Sequence, residues 1–96
     1  MNNNLVGKRA LVTGGSRGIG AAIALALAEE GADVALTFQN SAGRAQAVVA
    51  SIEKLGRRGV AIQADIADPA AIRRSVDEAV GALGGLDILV NNAAIA

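Results

Sequence analysis

The amino-acid sequence predicts an α/β fold built on a parallel sheet, and three observations carry that reading. Apolar runs of strand length alternate with helix-length segments along the whole chain. Each intervening segment is long enough for a helical crossover, which makes the strands parallel and the crossovers right-handed. The first strand-to-helix junction is a glycine turn, Thr13-Gly14-Gly15-Ser16-Arg17-Gly18-Ile19-Gly20.

The elements follow in order. Lys8–Thr13 is the first strand, with Ala10-Leu11-Val12 as its apolar centre. A helix runs from about Gly18 to Glu30, and Gly31 can close it in a left-handed cap. Its Ile23 and Leu27 share one face while Leu25 points roughly opposite, so it is apolar nearly all round and expected to be buried on both sides. Asp33–Phe38 is a second strand, and Gln39–Gly43 is turn-like with Ser41 a candidate N-cap. Ala45, Val48, Val49, Ile52 and Leu55 then fall on one helical face, closed by Gly56. Val60–Asp65 is the third strand. Asp68-Pro69 is an N-cap followed by proline in the first helical turn. Ile72, Val76, Ala79, Val80 and Leu83 are that helix's expected apolar face, ended by Gly84-Gly85, and Asp87–Asn91 is the fourth strand.

The glycine turn carries the strongest functional signal. The first N–H groups of a helix have no internal partners, and the macrodipole adds partial positive charge there. Glycines let the backbone approach an anion closely, so strand, glycine turn and helix together suit a phosphate. The spacing is Gly-x3-Gly-x-Gly rather than Gly-x-Gly-x-x-Gly. A Walker loop is excluded, because Ala21 follows Gly20 where a lysine is required. The bland alternative is a tight turn with no ligand.

Three stretches in order, Thr13–Gly20, Ala64-Asp65-Ile66 and Leu89-Val90-Asn91-Asn92-Ala93-Ala94, resemble the short-chain dehydrogenase/reductase family. The resemblance implies half of a doubly wound Rossmann fold, βαβαβαβ, with parallel sheet order 3-2-1-4, as a single dinucleotide-binding domain over residues 1–96. The first two helices would cover one sheet face and the third helix would cross the other. It implies that Gly14, Ser16, Gly18 and Gly20 form the cofactor loop, with backbone donors facing a pyrophosphate and Ile19 beside it. It further implies that the Asp65 carboxylate accepts from the adenine amino group while Ile66 packs on the ring. Asn92 and the backbone at Ala93 would line the ribose nearer the nicotinamide, although Ala94 stands where the family has glycine. On residues alone, Asp65 could equally cap a loop N–H, and the asparagines could cap the strand end.

The expected cofactor is NADP(H), with NAD the less favoured alternative, since a neutral Gln or Asn could still bind a plain ribose. An NAD-selective fold carries an acid about 20 residues beyond the glycines, and Thr37-Phe38-Gln39-Asn40-Ser41 contains none. Arg17, Asn40, Ser41 and Arg44 could donate to a ribose 2′-phosphate, although Arg17 could also be a solvent-facing charge. The family's catalytic Ser, Tyr, Lys and assisting Asn lie beyond the fourth strand, and this sequence has no tyrosine. No catalytic residue is therefore assigned. The chain reads as a truncated, cofactor-binding front half of an oxidoreductase, inactive alone. A non-catalytic or engineered self-assembling half-Rossmann module is the alternative.

Composition narrows the classes further. Nine Lys and Arg balance nine Asp and Glu, and Phe38 is the only aromatic residue, so neither a polyanion-binding field nor a base-stacking platform is present. No nucleic-acid partner is expected. Without His or Cys, imidazole and thiol chemistry are excluded and no metal site is expected. The longest apolar run, Ala21–Ala28, is far short of the ~20 residues of a membrane span, and a cytoplasmic setting is expected. The fourth strand has apolar side chains on both faces and no proline or lysine to guard an edge. A homodimer through that edge, or through the sheet face crossed by one helix, is the expected partner.

Overall fold

The computed structural model describes residues 4–16 and 18–92. Seven elements alternate: β1 (Arg9–Thr13), α1 (Gly18–Glu29), β2 (Asp33–Phe38), α2 (Ala42–Lys54), β3 (Gly59–Gln63), α3 (Pro69–Leu83) and β4 (Ile88–Asn91). The strands form one parallel sheet in the order β3-β2-β1-β4. Val12 lies beside Leu36 of β2 and Val90 of β4, while Leu36 lies beside Ala61 of β3. Both the class and the strand order match expectation.

Two apolar layers sandwich the sheet. On one face Val12, Val34 and Leu36 pack against Ala24 and Ala28 of α1 and Ala45, Val48, Val49 and Ile52 of α2. On the other, Leu11, Ala35 and Ile62 pack against Ala79 and Leu83 of α3. The pleat sends neighbouring strand residues to opposite faces, so a buried parallel strand needs apolar side chains at every position. Complete burial of a side chain such as Ile52 contributes about 1.5–3 kcal/mol.

Helix α1 seats itself through Gly20, Ala24 and Ala28, a stripe of small residues four apart. Ile23, Leu25 and Leu27 flank it half-buried, so both sides of the helix are partly covered but neither is closed. The face of α3 is rotated from the expected one. Its buried line is Ala71, Ser75, Ala79 and Leu83, whereas Ile72 and Val76 are half-buried and Val80 is 42% exposed. Three of the four residues on that line are small, so the helix backbone comes close to the sheet and the branched residues are displaced to its flanks.

The caps divide between expectation and correction. Gly31, Gly56 and Gly84 all have positive φ just after their helices, as expected. Asp68 accepts from the Ala70 N–H at 3.0 Å, with Pro69 beginning the helix. Ser41 occupies the N-cap position of α2, but its side chain makes no capping hydrogen bond. Its carbonyl accepts from the Ala45 N–H instead. β3 is shorter than expected and ends at Gln63, although the Ala64 N–H still bonds the Phe38 carbonyl at 2.9 Å.

Candidate functional site

α1 packs on one face of the sheet and α3 on the other, and the connections that lead into them leave the carboxyl ends of β1 and β3. In an open α/β sheet, ligands bind in the crevice outside the carboxyl ends of the strands. Here it is a cleft of about 410 Å³ lined by Gly14, Ser16, Thr37 to Ser41, Ala64, Ile66 and Asn92. None of these described lining residues is charged.

The glycine turn beside the cleft is built for close approach. At Gly20 a Cβ would overlap the Gly14 carbonyl oxygen and lie 2.7 Å from Asn92 Nδ2. Only a glycine lets the first turn of α1 sit this near the strand end. Gly18 has the opposite requirement: its φ is +60°, while a Cβ there would meet nothing within 4 Å. That glycine serves backbone conformation and leaves open space in front of the helix start. Ile19, 74% exposed, stands beside it.

Hydrogen bonds anchor the turn from both neighbouring strands. The Gly14 N–H donates to Thr37 Oγ1 at 2.8 Å, and the Gly15 N–H to the Thr37 carbonyl at 3.1 Å. On the β4 side, the Asn92 N–H donates to Thr13 Oγ1 at 3.0 Å, and Asn92 Nδ2 lies 3.4 Å from the Gly14 oxygen. Thr13 Oγ1 also lies 3.1 Å from Asn91 Oδ1. This alters the expected role of Gly14. Its N–H points inward and is engaged by Thr37.

The sequence-derived candidates separate into three groups. Gly14, Ser16, Asn40, Ser41, Ile66 and Asn92 converge on the cleft. Gly18, Ile19 and Gly20 form the helix start behind it, and Gly20 is buried. Asp65 faces an adjoining depression with Asp68 and Arg74, and Arg44 is exposed on α2 away from the cleft walls. The Asp65 carboxylate does cap a loop amide: Oδ1 accepts from the Ala67 N–H at 2.9 Å and from Gln39 Nε2 at 3.3 Å. Arg17 and Ala93 lie outside the described residues, as does Ala94.

Nothing in the sequence singles out Thr37 beyond its place in the second strand and in a stretch without an acid. Gln39 and Ala64 carry no individual role in the sequence either; their signal is their place at the carboxyl ends of β2 and β3 and, for Ala64, the stretch Ala64-Asp65-Ile66. Among the described residues no group of His, Cys, Asp and Glu could hold a metal ion, and no helix is long and apolar enough to cross a membrane.

The opposite end of the sheet carries a polar tie. The Asp87 carboxylate accepts from the Arg9 guanidinium at 3.1 Å and from the Arg9 N–H at 2.9 Å. Those two bonds, the guanidinium first, hold the carboxyl below the usual carboxylate range. Arg9 also donates to the Gly84 carbonyl at 3.1 Å, tying β1 to the end of α3.

Known proteins match this arrangement closely. The short chain dehydrogenase family model matches residues 8–96. The crystal structure of a short chain dehydrogenase from Burkholderia cenocepacia J2315 in complex with NADP superposes with a TM-score of 0.94 at 72% identity, covering 97% of this chain and 38% of that one. A blue fluorescent protein from a metagenomic library, in complex with NADPH, gives 0.93 at 56% identity over 96% of this chain and 38% of its own. The L-rhamnose 1-dehydrogenase (NAD(P)(+)) of a Sphingomonas species, strain SKA58, is 48% identical over 91 residues, covering 95% of this chain. The present chain spans 36% of that enzyme's length. With the strand order, the glycine turn and the family model in agreement, this chain belongs to the short-chain dehydrogenase/reductase family.

Proposed function

We propose that residues 1–96 form one dinucleotide-binding unit of a short-chain oxidoreductase and that its ligand is NADP(H). The observation that carries this reading is the cleft at the carboxyl ends of the strands, walled at the end of β2 by Thr37 to Ser41 and with no charged side chain among its described lining residues. A carboxylate there would accept both ribose hydroxyls and repel a 2′-phosphate, whereas amide and hydroxyl donors accommodate the phosphate. The cofactor-bound relatives support the same ligand class.

The residues present fit such a ligand. Gly18 leaves the front of α1 open, and the close seat of Gly20 brings the helix start to the cleft. In this reading the amides from Ser16 to Gly20 receive the pyrophosphate, and Arg17, Asn40 and Ser41 meet the 2′-phosphate. Asp65 Oδ2 takes the adenine amino group, Ile66 packs on the ring, and Asn92 and Ala93 line the second ribose. When bound, the nicotinamide supplies or accepts hydride. The chain by itself orients the dinucleotide without turning over a carbonyl substrate, since it contains no Tyr, His or Cys to move the proton. Its setting in this reading is cytoplasmic.

A second feature favours self-association. Among the described residues β4 pairs only with β1, and Leu89 on β4 is 54% exposed. An unpaired edge with apolar side chains is covered most simply by a second copy across a twofold axis.

Titration of the purified chain with NADPH and NADH tests the cofactor assignment. NADPH binding more tightly supports it, and tighter NADH binding overturns it. Binding of neither would favour a scaffold module without a nucleotide. Light scattering after size exclusion tests the dimer: a folded monomer at micromolar concentration overturns it.

A further inference from the structure

Gly14 is held through both ends of its residue by elements distant in sequence. Its N–H is taken by Thr37 Oγ1 at 2.8 Å across 23 residues, and its carbonyl is approached by Asn92 Nδ2 at 3.4 Å across 78. The Thr37 contact is the shorter, and Thr37 is 1% exposed. Its carbonyl takes the next amide of the turn, Gly15. One threonine at the end of β2 therefore occupies two consecutive N–H groups of the loop.

The backbone explains why this matters. Gly14 has a φ of +68° and Gly18 one of +60°, conformations that glycine can exchange for others at little cost. A turn rich in glycine is suited to approach a phosphate and poorly suited to hold its own shape. A ligand that has to order the turn loses part of its affinity in doing so. A buried hydroxyl that accepts the Gly14 N–H selects one form of the turn before the ligand arrives. It also settles which amides face outward, since the two that Thr37 engages cannot turn to the anion without losing those bonds.

We infer that Thr37 is a positioning residue, whose hydroxyl holds the glycine turn in its phosphate-accepting form without itself touching phosphate. The inference rests on the proposed binding of NADP(H). Two substitutions separate this role from plain packing. Thr37→Val keeps the branched shape and removes the acceptor. Thr37→Ser keeps the acceptor and removes a buried methyl group. Valine leaves the Gly14 N–H without its partner, and NADPH binding weakens by roughly tenfold, the scale of one lost buried hydrogen bond. Serine lowers the melting temperature through the lost methyl yet retains near-original affinity.

Amide hydrogen exchange without cofactor supplies the independent arm. The Gly14 amide is protected in the original chain and in Thr37→Ser, and exchanges faster in Thr37→Val. Affinities that follow melting temperature across the three proteins, or an unprotected Gly14 amide in the original chain, would overturn the role. A protected amide in a chain that binds no NADPH overturns the positioning role together with the cofactor assignment, leaving Thr37 as a fold residue. Protection with binding, and loss of both in the valine variant alone, supports both.

Discussion

Alanine at Gly20 and alanine at Gly81 are the same chemical change in helices of the same domain, yet they should shift stability in opposite directions. Gly20 is buried in the first turn of α1, where a Cβ would overlap the Gly14 carbonyl oxygen and crowd Asn92 Nδ2 at 2.7 Å. A backbone carbonyl cannot swing aside as a side chain can, so the turn or the helix must shift. Overpacking of this kind costs about 1–3 kcal/mol. The better helix propensity of alanine offsets at most about 1 kcal/mol. With the full offset a net loss of up to about 2 kcal/mol remains, and the backbone overlap puts Gly20 at the upper end, which for a domain of this size lowers the melting temperature by about 8–16 °C. Gly81 lies in α3, exposed, with nothing within 4 Å of a new Cβ. There alanine contributes its propensity alone, a gain of about 0.5–1 kcal/mol. Thermal unfolding followed by circular dichroism reads both variants, and NADPH titration of Gly20→Ala should show weakened binding because the turn itself has moved. Shifts of the same sign in both variants would refute the assignment of Gly20 as the close-contact glycine.

Asn40→Asp places a carboxylate on the cleft wall and should weaken NADPH binding by at least tenfold, an effect of about 1.4 kcal/mol, while leaving NADH little changed. Equal losses for the two cofactors would separate Asn40 from the 2′-phosphate. Leu89→Lys sets a charge on the exposed flank of β4 and should dissociate a dimer formed there, as read by light scattering, without lowering the melting temperature of the monomer; an unchanged dimer would place the interface on the sheet face instead. Asp87 has its folded-state pKa depressed by Arg9, so its contribution is present above the unfolded carboxylate range and disappears as pH falls through the folded value. Asp87→Asn should therefore flatten the decline of stability between about pH 5 and pH 2, and a slope identical to that of the original chain would contradict this.

The sequence alone determined the alternation of elements, the parallel sheet and most of the caps. Those depend on properties local to a few residues: apolar runs, the helical period of Ala45 to Leu55, and glycines that accept positive φ at Gly31, Gly56 and Gly84. The glycine turn was legible for the same reason. Its spacing alone marks a close approach, although only the fold shows that Gly20 serves packing and Gly18 conformation.

Tertiary structure decided what depends on which surfaces meet. The periodicity of α3 is compatible with more than one buried line, and the sheet beneath it selected Ala71, Ser75, Ala79 and Leu83 because small side chains admit the closest backbone approach. Ser41 is a residue type that caps helices, yet it lines the cleft and its side chain makes no capping bond. Asp65 is open to two readings; its contact with the Ala67 amide is local, while its contact with Gln39 appears only once β2 and β3 end side by side. Thr37 is the clearest case. Nothing in Leu36-Thr37-Phe38 distinguishes a strand threonine from one that holds a distant amide. Its role emerges when the register of β1 against β2 places its hydroxyl 2.8 Å from the Gly14 nitrogen. A hydrogen bond between residues far apart in sequence is a property of the packed sheet, and only the assembled fold contains it.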